Sequence, residues 1–285
     1  MQFILISFGI VIVLIAALGF CIAPGKMTPE AKVKAKLFYG LNCAHRGLHT
    51  KDRKVPENSL TAFAAARNGG YGVELDVRLS KDEQVVVFHD DDLSRVCGVD
   101  RPVEDMTWAE LSGLRLFDTA ERIPLFTEAL ENIADTPVIV EIKSAGAKNE
   151  ILCQKTLGLL RAGGHNWCVE SFDPRVVAWF RKHAPDALRG QLSCLPKSYD
   201  SVSKLTALAL GNLLTNFISR PHFISYSDEP HPLTVRLCRS MKPINVIWTV
   251  NPASDITRCG KENDVVIFEH YKPPLRFKGE KGGGT

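Results

Sequence analysis

Residues 72–79 read GVELDVRL and are the starting point for predicting the fold. Its apolar residues alternate with Glu74 and Asp76, which lie two positions apart. Side chains at positions i and i+2 of a strand leave the same face, so both carboxylates point the same way. We therefore predict a strand here that carries an acidic pair on one face.

Further short apolar runs lie on both sides of this strand, and helical stretches separate them. Strands that alternate with helices predict a parallel sheet, and eight such units predict closure into an α/β fold, the (β/α)8 TIM barrel, over residues 40–278. A doubly wound open sheet is the competing architecture, but no glycine-rich phosphate loop follows the first strand. The predicted strands are residues 41–45, 72–79, 138–142, 167–172, 188–192, 223–226, 245–250 and 265–268, and the predicted helices are residues 59–68, 126–134, 148–162, 175–183, 199–205 and 232–241.

One interval interrupts this alternation. Residues 85–88 form a further β-rich run, and residues 90–122 are polar and rich in turn formers. We predict a short insertion after the second strand.

The N-terminal residues 1–25 are predicted to be a transmembrane anchor. No charged residue occurs between Phe3 and Ala23, and a helix of this length matches a bilayer core of about 30 Å. A secretory signal peptide is the alternative, but no basic side chain precedes the apolar run. The anchor would make the lipid bilayer a partner of this chain.

Two further segments flank the predicted barrel. Residues 26–39 are predicted to be a juxtamembrane linker, and the Gly-rich residues 279–285 a flexible tail. The linker contains Lys26, Lys32, Lys34 and Lys36. Because positively charged flanks tend to stay inside, we expect a single-pass membrane protein whose barrel faces the cytoplasm.

Composition excludes one class of partner. The 285 residues carry a net charge of +3, and the Lys and Arg residues are spread along the chain. No basic block marks a nucleic-acid surface. The eight cysteines form no Cys-x-x-Cys pair, which fits a reducing compartment. The sequence does not predict an oligomeric state.

Ionisable residues recur at the ends of the first strand units. His45 and Arg46 close the first predicted strand, His89 ends the run at residues 85–88, and Glu141 and Lys143 end the third strand. Active sites of (β/α)8 barrels lie at the C-terminal ends of the strands. We therefore expect these residues to meet Glu74 and Asp76 there.

Three carboxylates packed together raise one another's pKa unless a cation neutralises them. Oxygen ligands from Glu74, Asp76 and Glu141 suit Mg²⁺ or Ca²⁺ better than zinc, so we predict one such divalent cation. The alternative is that these acids simply pair with Arg46 and Lys143.

The basic groups around this cluster suit phosphate-ester chemistry. Arg46 offers a two-pronged guanidinium to phosphate oxygens, and Lys143 offers a point charge. His45 and His89 titrate near neutral pH, so one can serve as a base and the other as an acid.

Several motifs of the chain resemble the glycerophosphodiester phosphodiesterase family. They cover about residues 40–273, and their order and spacing make the resemblance specific. It implies a metal-dependent (β/α)8 barrel that hydrolyses glycerophosphodiesters to sn-glycerol 3-phosphate and an alcohol. The motifs are AHRG (44–47), PEN (56–58), AF (62–63), VELDV (73–77), VVFHDDDLSR (86–95), VEIK (140–143), SFD (171–173) and VIWTVN (246–251).

The resemblance also implies roles for individual residues. The acid/base pair would be His45 and His89, the metal ligands Glu74, Asp76 and Glu141, and the substrate-contacting residues Arg46, Lys143 and Trp248. Glu57 is predicted either to touch substrate or metal, or to hold Arg46 in place. The last strand departs from the family pattern, because VVIFEH (265–270) stands where a Gly-Ile-Ile-Thr-Asp-like run is expected, and Glu269 takes the place of the Asp.

Two other functions compete with glycerophosphodiester hydrolysis. A lysophospholipase D-like activity on membrane lysolipids would use the same residues, and a catalytically silent barrel would serve as a binding module. The remaining ionisable residues are predicted to be solvated; they are His49, His165, His183, His222, His231 and the acidic run at 90–92.

Overall fold

The computed structural model describes residues 2–277, with the side chains of residues 7–277. The strands are β1 (Asn42–Ala44), β2 (Gly72–Leu79), β3 (Val85–Val87), β4 (Asp92–Leu93), β5 (Val99–Pro102), β6 (Val138–Ile142), β7 (Trp167–Ser171), β8 (Arg189–Ser193), β9 (Phe223–Ser227), β10 (Ile244–Val250) and β11 (Val265–Phe268). The helices are α1 (Gln2–Ile22), α2 (Pro29–Phe38), α3 (Leu60–Asn68), α4 (Ser94–Cys97), α5 (Trp108–Leu111), α6 (Phe126–Ile133), α7 (Asn149–Ala162), α8 (Pro174–His183), α9 (Lys204–Gly211), α10 (Asn216–Ser219), α11 (Leu233–Ser240) and α12 (Ile256–Glu262).

Eight parallel strands close into a barrel. Their order is β1, β2, β6, β7, β8, β9, β10 and β11, and β11 pairs with β1 to complete the ring. The predicted (β/α)8 TIM barrel is confirmed, and the open doubly wound sheet is excluded because β1 has a partner on each side.

Helix α2 closes the end of the barrel where the strands begin. It lies within residues 26–39, the predicted linker, and Thr28 caps its first turn. Ala35 and Phe38 of this helix pack against inward-facing side chains such as Ile139 and Ile244. With this end filled by apolar side chains, the opposite end remains for polar groups.

One predicted helix is wrong. Residues 199–205 were expected to be helical, but the helix α9 begins only after Ser203, whose hydroxyl accepts a hydrogen bond from the amide of Thr206 at 3.2 Å. A serine whose hydroxyl accepts this hydrogen bond is the N-cap residue of a helix, so the helix begins after Ser203. The loop before it is therefore free to line the end of the barrel.

The insertion after β2 has a small core of its own. Strand β3 pairs with β2 in antiparallel fashion, and β4 and β5 form a separate two-stranded sheet. Leu93, Val96, Leu111 and Leu116 are buried together in this unit. The insertion is thus a folded part of the body, which allows it to hold charged side chains in fixed positions.

The predicted transmembrane anchor at residues 1–25 is not confirmed. Met1, the side chains of residues 2–6 and residues 278–285, which include the predicted tail, lie outside the described residues. Within the described part, no helix has both the length and the apolar character that crossing a bilayer requires. Instead, the end of α1 is bound to the barrel: Ile22 is 1% exposed, and its carbonyl accepts a hydrogen bond from Asn216 at 3.0 Å.

Candidate active site

Four buried carboxylates lie side by side near the C-terminal ends of adjacent strands. Glu74 and Asp76 come from β2, Glu141 from β6 and Glu170 from β7, and the strand register places Asp76 beside Glu141 and Glu141 beside Glu170. None of them is more than 6% exposed. One oxygen each of Glu74, Asp76 and Glu141 lies within 4.8 Å of the other two. The structure therefore brings the three predicted metal ligands together.

Lysine and arginine side chains compensate only part of this negative charge. Lys143 Nζ lies 2.8 Å from Asp76 Oδ1 and 2.6 Å from Glu141 Oε1, and Arg46 Nε lies 3.5 Å from Asp76 Oδ2. Among the described residues, neither Glu74 nor Glu170 forms an ion pair with a lysine or arginine. Pairing with Arg46 and Lys143 thus accounts for Asp76 and Glu141, but it does not account for Glu74 and Glu170.

The uncompensated carboxylates have displaced pKa values. Burial, together with the charges of Asp76 and Glu141, raises the pKa of Glu74 well above its ordinary value. Burial and Glu141 raise the pKa of Glu170 to about 8. A divalent cation among these oxygens would offset the repulsion that adds to the effect of burial on both pKa values. Carboxylate oxygens in this number fit a hard cation such as Mg²⁺ or Ca²⁺.

Two residues of this cluster are not among the predicted site residues. Glu170 immediately precedes the SFD motif. It is the fourth residue of β7, just as Glu141 is the fourth residue of β6, and this equivalence is the sequence signal that identifies it. Asn58 donates a hydrogen bond from Nδ2 to Asp76 Oδ2 at 2.8 Å. It fixes the orientation of this carboxylate from outside the strand.

His45 is held by a carboxylate from the last strand of the barrel. Its Nδ1 lies 3.0 Å from Glu269 Oε2, and its Nε2 lies 4.0 Å from Glu74 Oε2. Burial raises the pKa of Glu269, but the hydrogen bond to His45 outweighs this and holds the pKa at about 2. Glu269 therefore stays ionised and turns the Nε2 edge of His45 toward the carboxylate cluster.

A second histidine lies next to this pair. His49 Nε2 is 3.9 Å from Glu269 Oε2, and the His49 side chain is 10% exposed. Burial lowers the pKa of His49 to about 4, so its ring is neutral at pH 7. The expectation that His49 is solvated is wrong, and the same holds for His222, which is 1% exposed. In both cases it is packing against distant parts of the chain that removes the ring from water.

His89 lies on the other side of the cluster and has a partner of its own. Its Nδ1 is 2.6 Å from Asp90 Oδ1, and its carbonyl oxygen accepts two hydrogen bonds from the guanidinium of Arg78, at 2.7 and 2.9 Å. Burial lowers the pKa of His89, and the charge of Asp76 opposes that shift. Asp90 itself accepts hydrogen bonds from Arg95, so it is not the freely solvated residue expected from the sequence.

Glu57 connects the two sides of the site. It accepts a hydrogen bond from Arg46 at 2.7 Å and two from Arg95 at 2.7 and 2.8 Å. Burial raises its pKa, but Arg95 and Arg46 outweigh this and hold the pKa at about 2. Of the two predicted roles of Glu57, these contacts favour the one that holds Arg46 in place.

A cleft of about 980 Å³ opens from the carboxylate cluster. Glu141 and Lys143 border it on one side, and Trp248 borders it on the other. The Trp248 ring packs edge to face against Phe172, with 5.6 Å between centroids. Apolar side chains also line the cleft, among them Val202, Leu210 and Ile218.

Comparison with protein families and curated proteins gives consistent matches. Residues 45–268 match the model of the Glycerophosphoryl diester phosphodiesterase family. A glycerophosphodiester phosphodiesterase of Caldanaerobacter subterraneus is 37% identical over 107 residues, which is 35% of this chain and 43% of that protein. Lysophospholipase D GDPD1 of Rattus norvegicus is 33% identical over 141 residues, 45% of this chain and 43% of that protein. The matches thus span less than half the length of these relatives.

Solved structures share the fold. A glycerophosphodiester phosphodiesterase from Thermotoga maritima is 28% identical with a TM-score of 0.61, covering 80% of this chain and 93% of that one. A phosphodiesterase from Oleispira antarctica, solved with its product sn-glycerol-3-phosphate, is 22% identical with a TM-score of 0.65, covering 84% of this chain and 96% of that one. At 22% identity, the similarity to the Oleispira antarctica structure shows a shared fold.

Binding of Mg²⁺ or Ca²⁺ is expected to stabilise the protein, and more so at alkaline pH. Burial raises the pKa of Glu170 to about 8 and the pKa of Glu74 above its ordinary value. Protons therefore compete with the cation at acidic pH, and this competition weakens as the pH rises from about 5 to about 8. At a hundredfold excess over Kd, the unfolding midpoint should rise by about 5–10 °C. Differential scanning fluorimetry with chelator or with added cation measures this rise.

The control variants separate this site from general salt effects. Asp76→Asn should lose most of the rise, whereas Glu131→Gln, which changes an exposed carboxylate on α6, should keep it. If the cation raised the unfolding midpoint of the wild type equally at about pH 5 and at about pH 8, the site would not need to lose protons to bind the cation, and the prediction would be contradicted.

Proposed function

Since the chain belongs to the glycerophosphoryl diester phosphodiesterase family, we propose that it hydrolyses glycerophosphodiesters to sn-glycerol 3-phosphate and an alcohol. The observation that carries the proposal is the convergence of Glu74, Asp76 and Glu141 within 4.8 Å. These three residues would hold one divalent cation, Mg²⁺ or Ca²⁺. When bound, such a cation supplies positive charge that polarises the phosphoryl group.

Arg46 and Lys143 supply the remaining positive charge for the phosphate. Arg46 donates a hydrogen bond to Glu57, so its guanidinium is oriented before substrate binds. Lys143 lies between Asp76 and Glu141 and borders the cleft. A phosphate that enters there meets both cations beside the metal ligands, which favours binding of a diester anion.

His45 and His89 would move the protons. Hydrolysis needs a base that deprotonates the attacking hydroxyl and an acid that protonates the leaving oxygen. Glu269 holds His45 through Nδ1, and Asp90 holds His89 through Nδ1, which leaves Nε2 of each ring for this task. Burial lowers the pKa of both rings, and the hydrogen bonds to Glu269 and Asp90 oppose this shift.

Removal of either ring should abolish turnover without unfolding the protein. His45→Ala and His89→Ala are each expected to lower kcat/KM by at least about 100-fold, the usual contribution of one acid or base. His183→Ala, which changes an exposed residue on α8, should have no effect. A wild-type rate in either of the first two variants would remove that histidine from the mechanism.

A second candidate function is lysophospholipase D-like cleavage of lysolipids. The apolar wall of the cleft, which includes Val202 and Leu210, favours this function because a glycerophosphodiester without an acyl chain has no group that would bind there. The relative from Rattus norvegicus is named a lysophospholipase D. An acyl chain along this wall would leave the phosphodiester at the carboxylate cluster.

Turnover of glycerophosphocholine and lysophosphatidylcholine distinguishes the two candidates. If the acyl chain lies along the apolar wall, Val202→Glu should lower kcat/KM for the lysolipid about tenfold, since one buried Val contributes about 1.5 kcal/mol. The rate on glycerophosphocholine should not change. Val33→Glu, which introduces the same charge at an exposed position on the distant helix α2, is the control. Equal losses on both substrates would argue against acyl binding at this wall.

We also propose that the chain associates with a lipid bilayer through α1, with the barrel on the cytoplasmic side. Phe8, Val13 and Ile15 are 64%, 66% and 65% exposed, an arrangement that is unfavourable in water. The lysine-rich segment that follows supports cytoplasmic orientation. The full chain should therefore sediment with phosphatidylcholine vesicles, and recovery in the supernatant would contradict this proposal.

A further inference from the structure

A second set of ligand-type side chains lies beside the carboxylate cluster. One ring nitrogen each of His45 and His49 and one oxygen of Glu269 all lie within 4.8 Å of one another. Glu269 Oε2 is 3.0 Å from His45 Nδ1 and 3.9 Å from His49 Nε2. This set contains two imidazoles and one carboxylate, in contrast to the three carboxylates of the neighbouring cluster.

His49 is not explained by the proposed reaction. Its Nε2 is buried, faces the Glu269 carboxylate and has no hydrogen-bond partner among residues 2–277, which the structure describes. The side chain as a whole is only 10% exposed. A buried polar atom without a partner is costly, and its persistence in a site calls for a ligand that satisfies it.

The chemistry of these three groups identifies the ligand. Neutral imidazole and carboxylate are typical ligands of zinc. Zinc sites that are not fully closed by protein have three such ligands and one open position. Mg²⁺ prefers oxygen, and zinc binds nitrogen-containing sites more strongly than Mg²⁺ does. We propose that His45, His49 and Glu269 form a zinc-binding site. This site is separate from the carboxylate site, and its ligand His45 is also one of the two proposed catalytic histidines.

Zinc at this site would switch off the reaction through the proton on His45. A neutral imidazole has one ring proton, and Glu269 at Nδ1 keeps that proton on Nδ1, with Nε2 free to accept another. Ligation of zinc by Nδ1 places the ring proton on Nε2 instead. His45 then has no nitrogen that can accept a proton from substrate. Inhibition rests on the proposed function, whereas the binding of zinc does not.

Zinc binding and inhibition are measured separately on the untagged full chain in detergent. Isothermal titration with ZnCl₂ is done with Mg²⁺ in large excess, so that the carboxylate site is filled. The wild type should bind one zinc ion tightly. Since loss of even an outer-sphere partner costs 10–100-fold in affinity, His49→Gln should bind at least about 100-fold more weakly.

Two further variants separate a ligand from a structural role. His49→Cys replaces one zinc ligand by another, so it should retain tight binding even though the ring is gone. His183→Gln removes an exposed histidine elsewhere and should bind zinc as the wild type does. Without zinc, His49→Gln should turn over glycerophosphocholine at the wild-type rate, and added zinc should inhibit the wild type and not this variant.

The outcomes are distinct. Zinc binding by His49→Gln that equals the wild type, or no binding to the wild type in excess Mg²⁺, overturns the proposed site. Tight binding that depends on His49 but does not inhibit supports the site and refutes the switch. If no variant, including the wild type, hydrolyses any substrate, the titration still decides the zinc site and only the proposed function fails.

Discussion

Repulsion among four buried carboxylates is the constraint around which the functional end of the barrel is organised. Three adjacent strands place Glu74, Asp76, Glu141 and Glu170 in one layer, where water cannot screen them. Lys143 and Arg46 neutralise part of this charge, and raised pKa values mark the remainder. Such an arrangement is costly by itself. It is best explained by a cation that binds there, because a cation turns the same repulsion into affinity.

The ionisable groups proposed to act on substrate are held in place by charged partners. Glu57 binds both Arg46 and Arg95, and Arg95 also binds Asp90, the partner of His89. Arg95 belongs to the insertion after β2, which has its own small apolar core. The insertion therefore fixes the position of His89 relative to Arg46. This arrangement keeps long side chains in one conformation before substrate binds.

His45 lies at the boundary between two ligand sets of different chemistry. On its Nε2 side are carboxylates that suit hard cations, and on its Nδ1 side are Glu269 and His49, which together suit zinc. The departure of the last strand from the family pattern is located here, since Glu269 follows β11. In the proposed zinc switch, the position of the single ring proton of His45 would couple the two sets.

Local sequence patterns were enough to predict the strands of the barrel and the convergence of Glu74, Asp76 and Glu141. Strand alternation and strand-end position are local patterns, and parallel closure then brings Glu74 and Glu141 together without further information. Tertiary structure alone decided which partner each charged group has: Glu57 with Arg95, Glu269 with His49, and α1 with Asn216. These contacts join residues far apart in the chain, and no periodicity encodes them. Burial, which removes His49 from water and displaces the pKa of Glu170, likewise depends on the packed whole.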